Sequence, residues 1–160
     1  KGLTNAAVPM GAVATTDAVH DAIIHGNPAG IELFHGYTYS GHPLASAAAI
    51  ATLELHRAED LPGRARAIEP YWQDAAHAMR GVPGVVDVRE IGLIAGIELE
   101  PRAGKPTARA LDVFRRCFDD GVLVRVTGDI VALSPPLIIE KPQVDRIFET
   151  LSDAIRAVPA

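Results

Sequence analysis

The spacing of apolar residues shifts near Gly81. Ahead of it the pattern is mostly helical. Residues 8–16, VPMGAVATT, read as a short apolar strand that could be buried on both faces. Thr16 or Asp17 then caps a helix with apolar positions at Val19, Ile23 and Ile24, stopped by Gly26 and Pro28. A polar, Gly-containing loop runs on to Ser40. From Pro43 to about Ala58 an Ala-rich run meets no helix breaker, the next one being Pro62. Pro43 suits a first helical turn, because its φ is pre-set and its missing N–H would be unpaired there anyway. A further helical stretch covers Leu61 to Arg80, with Ile68, Trp72, Ala75 and Met79 at helical spacing. Pro70 is expected to kink or divide it, and Gly81 to close it in the C′ position.

Just beyond Gly81 alternation appears. Residues 85–91 and 93–99 are rich in β-branched residues and flank Gly92, which reads as a hairpin or a bent strand pair. A polar loop from Glu100 to Lys105 leads to an amphipathic helix from Pro106 to Asp119, with Ala110, Leu111, Phe114, Cys117 and Phe118 on one face. Two short strands, 122–126 and 130–133, surround Thr127-Gly128-Asp129. Pro142 starts a terminal helix whose stripe is Val144, Ile147, Phe148, Leu151, Ile155 and Val158. The order is strand, helix, loop, long helices and then a ββαββα unit, which predicts a layered α/β architecture. The division falls into residues 1–60 and 61–160, with the boundary somewhere within 60–80.

Composition narrows the function. The chain has 160 residues, 48% of them hydrophobic, enough for a packed core. A net charge of −5 with dispersed basic residues argues against nucleic acid as a partner. One cysteine excludes an internal disulfide framework, suits a reducing compartment and leads to the expectation of a cytoplasmic protein. The most apolar stretch, from Pro43 to Leu53, is too short to cross a bilayer, so no membrane partner is expected. No secretory signal is read at the start. The chain has no initiator Met and opens on what reads as a loop, so a longer parent polypeptide is expected.

The candidate chemistry gathers between Phe34 and Glu54, FHGYTYSGHPLASAAAIATLE. Thr38, Ser40 and backbone amides collect ahead of a helix N-terminus, where the dipole and free N–H groups favour an anion such as phosphate. Each hydroxyl could equally be an ordinary turn or capping group. His20/His25 and His35/His42 do not share a helical face at i, i+4, so no metal site is expected. His42 reads instead as a residue that orders the loop entering Pro43. Cys117 lies on an apolar helix face and reads as core. No G-x-S-x-G, Walker A or G-x-G-x-x-G sequence occurs.

Three segments together resemble the class III (fold type I) pyridoxal-phosphate-dependent aminotransferases. KGLTNAAVPMGAV is similar to the family segment carrying the Schiff-base lysine, which implies that role for Lys1. FHGYTYSGHPLASAAA resembles the loop that one subunit of a homodimer lends to its partner's cofactor. It implies that Thr38, with the backbone amide of Tyr37, takes the phosphate of pyridoxal 5′-phosphate. GVLVRVTGDIVALSPPLI resembles the segment whose arginine meets a substrate carboxylate, here Arg125. This last match points to the branch of ω-amino acid:pyruvate and β-alanine–pyruvate aminotransferases.

The resemblance implies an α/β chain made of the end of a large cofactor-binding domain and a small C-terminal domain. Its substrates would be an amine or amino acid and a 2-oxo acid. Asn5 is expected to shape the loop after Lys1. The family's pyridine-nitrogen aspartate, ring-stacking aromatic and Ser/Gly phosphate cup precede the lysine, so the 160 residues alone are expected to be inactive. The alternatives are an aminomutase or a different ω-transaminase of the same class, or a non-catalytic fragment.

Overall fold

The computed structural model describes residues 1–26, 28, 33 and 35–159. They form two units, Lys1–Glu59 and Asp60–Ala160. The expected loop between Gly26 and Ser40 lies partly outside the described residues, Phe34 included.

The first unit holds a 3-10 turn at Gly2–Thr4 and two helices, α1 (Asp17–Gly26) and α2 (Pro43–Ala58). Pro43 occupies the start of α2 as its fixed φ favours. Only Ala45 and Thr52 of this helix are buried, while Leu44, Ile50, Leu53 and Leu55 are exposed. The strand expected over residues 8–16 does not form. A strand exists only as part of a ladder, and no described strand of this unit lies beside it to pair its N–H and C=O groups.

The second unit runs α3 (Leu61–Ala78), a 3-10 turn (Met79–Gly81), β1 (Val85–Ile91), β2 (Ile94–Leu99), α4 (Ala108–Asp119), β3 (Arg125–Thr127), β4 (Ile130–Leu133) and α5 (Lys141–Ala157). The four strands form an antiparallel sheet in the order β1-β2-β4-β3. Alternation places alternate residues on one face, and the register aligns them across the strands. Val88 pairs with Ile97, Ile97 with Val131, and Val131 with Val126, so one apolar row crosses the whole sheet. On the other face Arg89 bonds Glu98 at 2.8 Å and also meets Asp87.

The helices cover the apolar face. Trp72 of α3 meets Phe148 of α5 edge-on, with ring centroids 4.9 Å apart. Val113 and Cys117 of α4 and Leu151 and Ile155 of α5 complete the buried core. Truncating Trp72 to alanine there would cost about 3–5 kcal/mol.

Four expectations need correction in this unit. Pro70 does not divide α3, which continues through it. Proline removes one hydrogen bond, and burial of Trp72 and Ala76 on the following turns outweighs that loss. Gly81 ends a 3-10 turn without a positive φ, and it is Gly84, at φ 87°, that makes the left-handed bend before β1. In α4 the inward positions are Arg109, Ala110, Val113 and Cys117, whereas Leu111 and Phe118 are exposed. The helix also starts at Ala108 rather than Pro106, because Thr107 is left-handed at φ 69°.

Candidate active-site segments

Lys1 precedes a tight turn built from its own neighbours. Thr4 is buried, and its hydroxyl donates to the Val8 carbonyl at 2.5 Å. Asn5 and Ala6 then take positive φ values of 50° and 59°. Asn tolerates that region, but Ala rarely enters it. The turn is closed by the Ala6 amide donating to the Lys1 carbonyl at 2.7 Å and by Ala7 donating to Thr4 at 3.0 Å. The backbone of Lys1 is therefore held while its side chain stands in solvent.

Thr38 lies in a turn leading to α2. The Ser40 amide donates to the Tyr37 carbonyl at 2.9 Å and the His42 amide to Tyr39 at 3.3 Å, with Gly41 at φ 67°. Thr38 and Tyr37 are exposed, and the Tyr37 ring stands edge-on to His35 at 5.2 Å. Beside the turn is a cavity of about 510 Å³ lined by Val8, Met10, His35, Thr38, Ser40 and Ala45 among others. Lys1 is not among its lining residues.

The idea of a helix N-terminus with free amides needs revision. His42 Nδ1 accepts from the Ala45 amide at 3.3 Å, and the His42 carbonyl accepts from Ser46 at 2.9 Å. Pro43 has no N–H to offer. Three of the first four helical positions are thus provided for from within, and an anion here would rely on the Thr38 hydroxyl and the turn itself.

Arg125 leaves β3, an edge strand, in the second unit. Its neighbours Val124 and Val126 point inward and Arg125 outward, as strand alternation requires. It lines a cavity of about 1160 Å³ whose walls include Phe114, Leu123, Ile139 and Arg146. No carboxylate of the described residues pairs with Arg125, whereas Arg146 already donates to the Asp120 carbonyl at 3.4 Å. A guanidinium on an apolar wall can receive a carboxylate through its planar fork.

Lys1, Tyr37 and Thr38 thus belong to the first unit and Arg125 to the second. Cys117 has no part in this chemistry, since burial, with Asp120 adding to it, pushes its thiol up to about 11. Three residues were not read as site residues from the sequence. Val8 and Met10 line the Thr38 cavity from a segment read as a strand, and Asp129 binds the Thr107 amide at 2.7 Å. No local spacing signals that second contact, which spans 22 residues.

Comparison with known proteins follows the same segments. The family model described as aminotransferase class-III matches residues 1–155. An omega-aminotransferase of Caulobacter vibrioides is 64% identical over 151 residues, covering 94% of this chain and 34% of its own length. The beta-alanine–pyruvate aminotransferase of Pseudomonas aeruginosa is 33% identical over 162 residues, covering 99% of this chain and 36% of its own. A solved amine transaminase from an uncultivated Pseudomonas species, in its PLP-bound form, superposes with a TM-score of 0.88 at 32% identity. That superposition covers 99% of this chain and 37% of the other. The chain spans about a third of the length of the curated relatives it matches.

Proposed function

Because this chain belongs to the class III aminotransferases, we propose that it is the part of a pyridoxal-phosphate-dependent enzyme that carries the anchoring lysine and the small domain. In this reading residues 1–60 end the large domain and 61–160 form the small one. The enzyme moves an amino group between an ω-amino acid or amine and pyruvate. The observation that carries the reading is the family match over residues 1–155, a range that includes Lys1, Thr38 and Arg125.

The donor set fits the cofactor. Lys1 offers an exposed primary amine to an aldehyde, and Thr38 an exposed hydroxyl to a phosphate. When bound, pyridoxal phosphate supplies an electron sink for the carbon that carries the amino group. Lys1 holds the cofactor and, when its amine is free, takes and returns the proton at that carbon as general base and acid. Thr38 and the Tyr37 amide bind the phosphate of the neighbouring subunit of a homodimer. Arg125 orients the substrate carboxylate. The uncovered apolar residues of α2, Leu44, Ile50, Leu53 and Leu55, support membership of a larger assembly that covers them.

The experiment is acceptor profiling of the full-length protein with β-alanine as donor. Turnover with pyruvate supports the reading, and inactivity with pyruvate beside activity with another 2-oxo acid overturns the branch. Mixing Lys1→Ala and Thr38→Ala subunits tests the shared site. If the two residues serve different sites, each hybrid dimer keeps one intact site and activity returns. If they serve the same site, the hybrids stay inactive.

A further inference from the structure

Asp129 sits in the turn between β3 and β4 and ties together three parts of the second unit. Its backbone carbonyl accepts from the Leu99 amide at the end of β2, 2.9 Å away. Its carboxylate accepts from the Thr107 amide at 2.7 Å, where α4 begins. The turn itself closes the ladder that pairs Thr127 with Ile130, Val126 with Val131 and Arg125 with Ala132.

The bond to Thr107 differs from an ordinary cap. A threonine at this position commonly uses its own hydroxyl to accept from an amide of the first turn. Here the Thr107 side chain makes no capping bond and its backbone is left-handed at φ 69°. Its own amide is bound by a carboxylate from the β3–β4 turn, placed at the positive end of the α4 dipole. Such charge-assisted bonds to backbone N–H are roughly twice as strong as neutral ones.

β3 is held by its ladder to β4 and by Val126, which packs inward against the core. It is three residues long, lies at the sheet edge and, among the described residues, pairs with β4 alone. Arg125 stands at its first position, opposite Ala132. What holds the turn thus helps to set where the Arg125 side chain, on the same short hairpin, leaves the sheet. We propose that Asp129 is a positioning residue for Arg125: by holding the Thr107 amide it anchors the β3–β4 hairpin to α4 and keeps the guanidinium at the cavity wall. This rests on the reading of Arg125 as the residue that binds the substrate carboxylate.

The test uses the full-length holoenzyme and its Arg125→Ala, Asp129→Ala and Asp129→Asn variants. Each is followed in single turnover with β-alanine, which carries a carboxylate, and benzylamine, which does not. Arg125→Ala is expected to raise the half-saturating β-alanine concentration about tenfold and to leave benzylamine within about twofold. Asp129→Ala should show the same selectivity at about fivefold, and Asp129→Asn, which keeps an acceptor oxygen, at about twofold. Calorimetric binding of propionate, an unreactive carboxylate, should weaken in the same order.

If Arg125→Ala is selective but the Asp129 variants lose both amines equally, or only melt earlier, the positioning role is overturned and the Arg125 reading stands. If Arg125→Ala treats the two amines alike, the reading falls and the positioning role with it. Should Asp129→Ala fail to fold, Asp129→Asn decides by the same selectivity.

Discussion

His42 caps α2 with its own ring, Nδ1 accepting from the Ala45 amide at 3.3 Å. The cap stands between the Thr38 turn and the helix, so it fixes how the turn enters α2. Replacing it with alanine leaves that amide unpaired and should cost about 0.5–2 kcal/mol, while His42→Asp should restore most of it. Hydrogen exchange at Ala45 and Ser46 checks this directly, since both amides should exchange faster in His42→Ala alone.

Tyr71 and Asp145 tie α3 to α5, the phenol donating to the carboxylate at 2.5 Å with Lys141 over the ring. That bond raises the Tyr71 pKa above the usual tyrosine value, with burial and the Asp145 and Glu149 charges adding to it. Because the folded value is raised, the stabilisation is complete below the ordinary tyrosine pKa of about 10 and is lost as pH rises through the folded value. An absorbance titration should show a late phenolate step accompanied by falling stability. Tyr71→Phe should lack both.

Gly84 makes room for a buried cation. At φ 87° it turns the chain into β1, and an added Cβ would stand 2.2 Å from Arg109 Nη2. The guanidinium donates to the Gly84 carbonyl at 3.4 Å and the Glu100 carbonyl at 3.3 Å and is buried. Gly84→Ala should therefore destabilise the protein by more than about 1 kcal/mol from the backbone alone. Denaturant unfolding of the pair Gly84→Ala and Gly81→Ala separates the two glycines, because Gly81 has open space and no positive φ.

Cys117 should be inert in the folded protein. With its thiol pushed up to about 11 and its side chain buried, thiolate is scarce and reagent access closed. A thiol-reactive dye at pH 8 should label it only after unfolding, and rapid labelling of the native protein would contradict the packing of α4.

The hairpin of β1 and β2 was legible because Gly92 and the alternation around it are local signals. Gly92 takes φ 57° and Ile91 faces Ile94 across a two-residue turn. The start of α2 was legible for the same reason, Pro43 setting φ and His42 offering a cap. Residues 8–16 were misread, since apolar content alone cannot say whether a strand finds a neighbour. Leu111 and Phe118 were misread because hydrophobicity does not reveal which side of α4 meets the sheet, while the buried Arg109 occupies a place that pattern assigns to an apolar residue. Of the candidate site, Lys1, Thr38 and Arg125 were visible through resemblance. Asp129 was not, because its bond to Thr107 depends on how β3 and β4 fold back on α4.

The central claim is that Lys1 anchors pyridoxal phosphate. The direct measurement is borohydride reduction of the full-length protein loaded with the cofactor, followed by peptide mapping. A phosphopyridoxyl group on Lys1, absent from Lys1→Ala, is the result expected. A label on Lys105 or Lys141 with Lys1 unmodified, or no label at all, would contradict it.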